Sequence, residues 1–201
     1  MKLLTTLTLT ILLSACSAFQ ARTYDPVEYN YAVMITSNTT HATHRCNDMS
    51  NPEYNMWLQE INHDTLTLVE FVSDKSDTDQ AVPSVIQIRD MTSTFLNRTN
   101  YSITYCQHKL SNIQSSARTF ARAISGNEKY NMCQSDVQSR YDLFAKSYNA
   151  NLIRKDEFDE LVGDLLKLKT IDTSGCTLEE RAKMQHALEV IQSASKLLGV
   201  L

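Results

Sequence analysis

Apolar side chains recur three and four residues apart along most of this chain, the spacing of helices that each bury one face. Over 26–45, Val27, Tyr31, Met34 and Ile35 share such a face, followed by a polar run of threonine and histidine. A second helix is predicted over 53–73, with Tyr54, Trp57, Leu58, Ile61, Leu68, Phe71 and Val72 turned inward, and the serine-rich, acidic stretch 73–80 reads as a turn. The longest helix is predicted over 82–125. From Ile103 its apolar positions repeat as heptads, Ile103, Leu110, Ala117 and Ile124 with Cys106, Ile113 and Phe120 between them, which marks a core seam. Its first half, carrying Val85, Ile88, Phe95 and Leu96, is interrupted by threonines.

Three further helices follow. One, over 128–149, carries Tyr130, Cys133, Val137, Tyr141, Phe144 and Tyr148; the next, over 156–169, carries Phe158, Leu161, Val162, Leu165, Leu166 and Leu168. The last opens at the capping box of Thr177 and Glu180 and presents Leu178, Met184, Leu188, Ile191, Leu197 and Leu198. Prolines agree with these boundaries, because Pro26, Pro52 and Pro83 all fall in predicted first turns, where the missing N–H is harmless. Asp25 and Asn51 are placed as N-caps. Gly126, Gly175 and Gly199 fall at helix ends or in a loop, whereas Gly163 falls inside a helix. Only four glycines and three prolines occur in 201 residues, which disfavours a turn-rich β-sandwich. The expectation is an all-α antiparallel bundle of about six helices around a long central one.

At the N-terminus, Lys2 precedes an apolar run over 3–13 and then the tetrapeptide Leu13-Ser14-Ala15-Cys16. The run is shorter than the roughly 20 apolar residues a spanning helix needs, so it reads as a cleaved export signal. The ending resembles the lipobox of bacterial lipoproteins. That resemblance, confined to the first residues, implies that Cys16 is acylated on sulfur with diacylglycerol, that residues 1–15 are removed, and that the new amine receives a further chain such as palmitate. Two or three acyl chains anchor durably, where one holds only marginally. Ser17 follows Cys16 in place of the aspartate that retains lipoproteins at the inner membrane of enteric bacteria, which implies the outer membrane. The expected organisation is a signal over 1–15, a lipidated tether over 16–24 and one helical domain over 25–201. Loss of Lys2 with the signal leaves 18 basic and 23 acidic side chains, a net charge of −5 that argues against a nucleic-acid partner.

The four remaining cysteines, Cys46, Cys106, Cys133 and Cys176, are an even set in an exported chain, so two disulfides are expected. Helix geometry ranks the three connectivities. Cys46 and Cys106 lie about equally far from the centre of the turn at 73–80, hence at equal height on an antiparallel hairpin. Cys133 and Cys176 are nearly so about a turn at 151–153, with an offset of roughly 6 Å. Cys106 and Cys133 flank Gly126 unequally and would sit roughly 20 Å apart along the axis, beyond disulfide reach. The expected bridges are therefore Cys46–Cys106 and Cys133–Cys176.

Catalytic patterns are sparse. His41 and His44 share a helix face with Cys46 nearby, but metal binding wants a third ligand and Cys46 is better used in a disulfide. The residues Asp156, Glu157, Asp159, Glu160 and Asp164 do not have calcium-loop spacing and read as a solvated helix face. The nine tyrosines read mainly as core-edge residues. Neither a nucleophile elbow, a zinc-protease helix motif nor a glycine-rich phosphate loop is present, so no catalytic residue, metal site or cofactor is assigned. The expected function is a non-enzymatic envelope lipoprotein, tethered to the membrane by Cys16 and binding another envelope protein as an adaptor, pilot-like or exclusion factor. A periplasmic carrier of a small ligand or metal is the alternative.

Overall fold

The computed structural model describes residues 24–75, 82–125, 137–167 and 177–197, and all regular structure among them is α-helical. Seven helices occur there: α1 (Pro26–His44), α2 (Pro52–Lys75), α3 (Val82–Leu96), α4 (Ile103–Ile124), α5 (Val137–Asn149), α6 (Lys155–Lys167) and α7 (Leu178–Leu197). Cys16 with its signal and the tether up to residue 23, Cys133 and Cys176 lie outside the described residues.

Starts and stops follow local chemistry. Asp25 caps α1 by accepting from the backbone N–H groups of Val27 (2.8 Å) and Glu28 (3.3 Å). Asn51 does the same for Glu53 at the start of α2 (2.9 Å). At the end of α5, Asn151 adopts φ 56°, a left-handed conformation that asparagine tolerates. Its N–H reaches Tyr148 O and that of Leu152 reaches Ser147 O, both at 2.9 Å, so a Schellman motif ends the helix where the turn at 151–153 was expected.

The buried face of α1 differs from the expected one. Glu28, Ala32, Ile35, Thr39 and Ala42 are buried, while Val27 and Met34 are exposed and Tyr31 is half-buried. Small side chains at a helix contact permit close approach. The threonines are accommodated because their hydroxyls bond back to carbonyls one turn earlier, Thr39 to Ile35 O (2.8 Å) and Thr43 to Thr39 O (2.6 Å). This is how the polar second half of α1 remains helical.

The long helix expected over 82–125 is two helices, α3 and α4, separated at 97–102. Asn97, Thr99, Asn100 and Ser102 all compete with the helical backbone for hydrogen bonds, and Ser102 restarts the helix by capping Tyr105 N at 3.1 Å. The break is held from outside. Arg154 donates to Asn100 O (2.8 Å), and the buried Glu157 carboxylate accepts from Ser102 N (2.6 Å) and Ser102 Oγ (3.1 Å). Glu157 also accepts from Arg154 N (2.8 Å), the reach-back half of a capping box at the start of α6.

The heptad seam of α4 is buried from Cys106 to Ile124, with Ile103 exposed at its start. Packing gathers the helices into two groups. In the first, α1 packs on α2 and α4, and α3 packs on α2 and α4, which closes a ring of four. In the second, α5, α6 and α7 pack on one another. Direction is read from side-chain pairs: Asn38 with Asp64 (3.0 Å) and Arg45 with Glu53 (2.6 Å) make α1 and α2 antiparallel. Gln114 reaches Thr40 Oγ1 (2.5 Å) and Cys46 is bonded to Cys106, so α1 and α4 are also antiparallel.

The Cys46–Cys106 disulfide forms as expected, with Cα atoms 5.8 Å apart and both residues buried. Its geometry has a different origin. Cys46 lies in the turn leaving α1, and Cys106 lies on α4, so the α1/α4 pair sets the equal heights and the hairpin about 73–80 does not. The bridge closes a long loop and contributes about 2–4 kcal/mol. No described helix is long and apolar enough to cross a membrane.

Gly163 lies inside α6 with open space where a Cβ would project. Replacement by alanine removes backbone entropy from the unfolded chain without a clash. Gly163→Ala should stabilise the protein by about 0.5–1 kcal/mol in urea unfolding.

Candidate functional site

The acidic residues of α6 are placed otherwise than expected. Asp156 is exposed, but Glu157 and Asp164 are buried and Glu160 is largely so. Three acids, Glu157, Glu160 and Asp164, follow one face of α6 at spacings of three and four residues. Opposite them on α4 stand Ser102, Tyr105 and Lys109 at the same spacing, so the two helices run parallel through this contact.

Lys109 is fully buried, and its Nζ lies 2.6 Å from both Glu160 Oε1 and Asp164 Oδ2. Tyr105 donates its hydroxyl to Glu160 Oε1 (2.5 Å). Arg98, from the break between α3 and α4, reaches the other Glu160 oxygen (2.8 Å), pairs with Asp156, and lies over the Tyr105 ring at 4.9 Å. Burial alone would raise Glu160, but the Lys109 ammonium, hydrogen bonds from Lys109 and Tyr105, and Arg98 outweigh it and hold the carboxyl below its ordinary range. For Asp164, deeper in the core, burial wins over Lys109 and pushes the pKa up. Burial and the acceptor bond to Glu160 raise the Tyr105 phenol. These groups bind one another, and the network is structural.

An open cleft lies where the two helix groups meet. It measures about 250 Å³ between α4 and α5, and its lining includes His108, Asn112, Ser115, Arg118, Arg140 and Phe144. The His108 ring packs against Phe144 and its Nε2 is 2.9 Å from Ser147 Oγ; burial lowers its pKa and favours the neutral imidazole. Arg140 donates to Asn112 Oδ1 (3.5 Å) and to Ser115 Oγ.

The remaining sequence candidates are spread out. His41 stacks on Trp57 at 4.7 Å and Cys46 is in its disulfide, so the His41, His44 and Cys46 set does not come together as ligands. No described group of three His, Cys, Asp or Glu residues could share a metal ion. Of the described tyrosines, only Tyr24 is exposed, and Tyr54, Tyr101 and Tyr105 cluster beside Phe95. Sequence reasoning missed Lys109, Arg98 and the α4/α5 cleft. The available signal for the first was the helical spacing of Glu157, Glu160 and Asp164 directly beside the apolar positions Phe158, Leu161 and Leu165. No protein-family model, curated protein or solved structure matches the chain.

A second buried carboxylate is poorly served. Asp64 on α2 receives one hydrogen bond from Asn38 Nδ2, its other oxygen has no partner, and burial together with Glu60 raises its pKa. An acid raised in the fold binds more protons folded than unfolded, so its ionisation removes stability as pH rises from the ordinary carboxylate range through the folded pKa. Asp64→Asn, with the Asn38 amide turned to accept, should therefore raise stability by about 1 kcal/mol at pH 7 and by much less near pH 4. Glu160 has the opposite sign: its contribution is present above the ordinary range and is lost as pH falls through its lowered value. Lys109→Met should cost about 3–5 kcal/mol at pH 7, because it takes the close cationic partner from the buried Asp164 and one of two cations from Glu160. The loss should shrink as pH falls and Asp164, whose pKa burial raises, takes up its proton, and Lys109→Met with Asp164→Leu should recover most of it.

Proposed function

We propose that the protein is an outer-membrane lipoprotein, held by acyl chains on Cys16, whose helical domain acts as a non-enzymatic binding or accessory module for another envelope protein. The observation that carries this reading is the buried Cys46–Cys106 disulfide. Such bonds persist in oxidising compartments such as the periplasm, and an exported chain with the Leu13-Ser14-Ala15-Cys16 ending belongs there. On the same reading Cys133 and Cys176 form a second bridge, and the helices make an antiparallel bundle stapled twice.

The non-enzymatic part rests on where the perturbed ionisable groups are spent. Glu160 and Asp164 hold Lys109, and Tyr105 holds Glu160, inside the contact between α4 and α6. Proton transfer to a substrate requires groups with access to it, and these are occupied with one another. A binding module needs a rigid frame, and this network supplies one.

The test is expression of the full chain in a Gram-negative host, comparing the natural sequence with Cys16→Ser by membrane fractionation and intact mass. The natural chain should fractionate with the outer membrane as an acylated species beginning at Cys16, and Cys16→Ser should lose both acylation and retention. Recovery of the natural chain as an unacylated soluble species would overturn the anchor. Four further cysteines should be alkylated only after reduction, and labelling of Cys133 or Cys176 without reduction would contradict the second bridge.

A further inference from the structure

We propose that the outward face of α1 lies on the phospholipid leaflet that holds the Cys16 acyl chains, so that the domain rests along the membrane. The inference rests on the acyl anchor proposed above and adds a docking surface to it.

The face carries no ordinary charge. Val27, Asn30, Met34, Ser37, His41 and His44 recur at spacings of three and four residues and are all exposed. No exposed residue of α1 is an aspartate, glutamate, lysine or arginine. Glu28, the one such residue in the helix, is buried and paired with Lys75 at 2.7 Å. The other described helices set charged side chains at the surface, among them Glu53 on α2, Arg89 on α3 and Arg118 on α4.

Apolar exposure gathers at the same place. Among the described residues eleven large hydrophobic side chains are exposed, and four of them, Tyr24, Val27, Val33 and Met34, fall within residues 24–34. The other seven are scattered from Met56 to Val190. Tyr24 is steadied by Tyr29, whose ring lies 5.9 Å away and packs against the core. Tyrosine at this position suits a membrane–water interface, where its ring meets apolar chains and its hydroxyl stays wet.

Position and area identify what covers the face. Eight residue steps separate Cys16 from Tyr24, so α1 begins within about 28 Å of the acylated residue even when that chain is fully extended. A helix of 19 residues is about 28 Å long and roughly 10 Å wide, a face of roughly 300 Å². A stable protein complex buries about 800 Å² per partner, so this face is too small to hold a second copy by itself. Contact with lipid needs much less, because the anchor already keeps the face at high effective concentration near the leaflet. The mature chain carries a net charge of −5, and anionic lipids repel acidic surfaces. An uncharged face is the one that approaches such a leaflet with least repulsion.

The experiment is hydroxyl-radical footprinting read by peptide mass spectrometry. The full acylated chain, bound to preformed vesicles of phosphatidylethanolamine and phosphatidylglycerol, is compared with Cys16→Ser exported as a soluble chain behind an ordinary secretory signal. Labelling of Tyr24 and Met34 should fall about threefold on the vesicles, while Leu143, exposed on α5, should label equally in both. Val27→Glu with Met34→Glu, both at exposed positions, should return Tyr24 to its soluble labelling rate with acylation, vesicle flotation and helical circular dichroism unchanged. Intact mass and flotation of the same samples separate the two ideas. A chain that is neither acylated nor floated overturns the anchor and the docking with it. An acylated, floated chain whose Tyr24 and Met34 label as in the soluble form overturns the docking alone. Protection of Met34 in the concentrated soluble chain without lipid would assign the face to a second copy, and undiminished protection of Tyr24 in the double variant would detach it from this face; either overturns the proposal.

Discussion

The Lys109 ammonium, fully buried between Glu160 and Asp164, is the interaction on which the rest of the structure depends. Moving a lysine from water into a protein core costs several kcal/mol, and only close, well-directed partners offset it. Those partners are specific in position. Lys109 belongs to the ring formed by α1 to α4, and its two carboxylates belong to the group formed by α5 to α7. The two groups are therefore joined by a contact that exists in one register. A one-residue change of register would replace Glu160 and Asp164 by Leu161 and Leu165 in one direction, leaving the ammonium without a carboxylate, and by Asp159 and Gly163 in the other, leaving it at most one.

The same face explains the break that divides α3 from α4. Glu157 extends the acidic stripe one step beyond Glu160, and there it meets the Ser102 backbone N–H, a donor that a continuous helix would have used internally. Arg98 turns from the broken segment onto Glu160 and Asp156, so the charge of the α6 face is answered from both sides of the break. Local preference for a cap at Ser102 and the long-range pull of Glu157 point to the same conformation. On the far side of α4, the disulfide and the small, threonine-rich face of α1 fix the ring of four in the complementary direction.

Much of this was legible in the sequence, for identifiable reasons. Helix starts at Asp25, Asn51 and Thr177 were readable because caps are local, and the α4 seam from Cys106 to Ile124 because a heptad is a repeated signal. The Cys46–Cys106 bond was readable from distance along helices, although the partner helix was α1 and not α2. What was not legible depended on polar residues that face inward. The acidic run of α6 looked solvated because charge was taken as exposure, and only Lys109, 55 positions from Asp164, reverses that inference. The inward face of α1 was hidden likewise, since Thr39 and Ala42 carry little apolar signal while Val27 and Met34 carry more and point to solvent. The α4/α5 cleft needs two helices in register, which no local pattern encodes.

The measurement that tests the central claim most directly is heteronuclear NMR of the lysine side-chain ammonium groups near neutral pH. A buried, doubly paired Lys109 should give an ammonium signal protected from exchange with water, distinct from the averaged exposed lysines, and persistent until acid protonates its carboxylate partners. The signal should vanish in Lys109→Arg with the other lysines unmoved, which assigns it. If every lysine instead exchanges rapidly with solvent, the ammonium is not held between Glu160 and Asp164 and the account of how the two helix groups are joined is wrong.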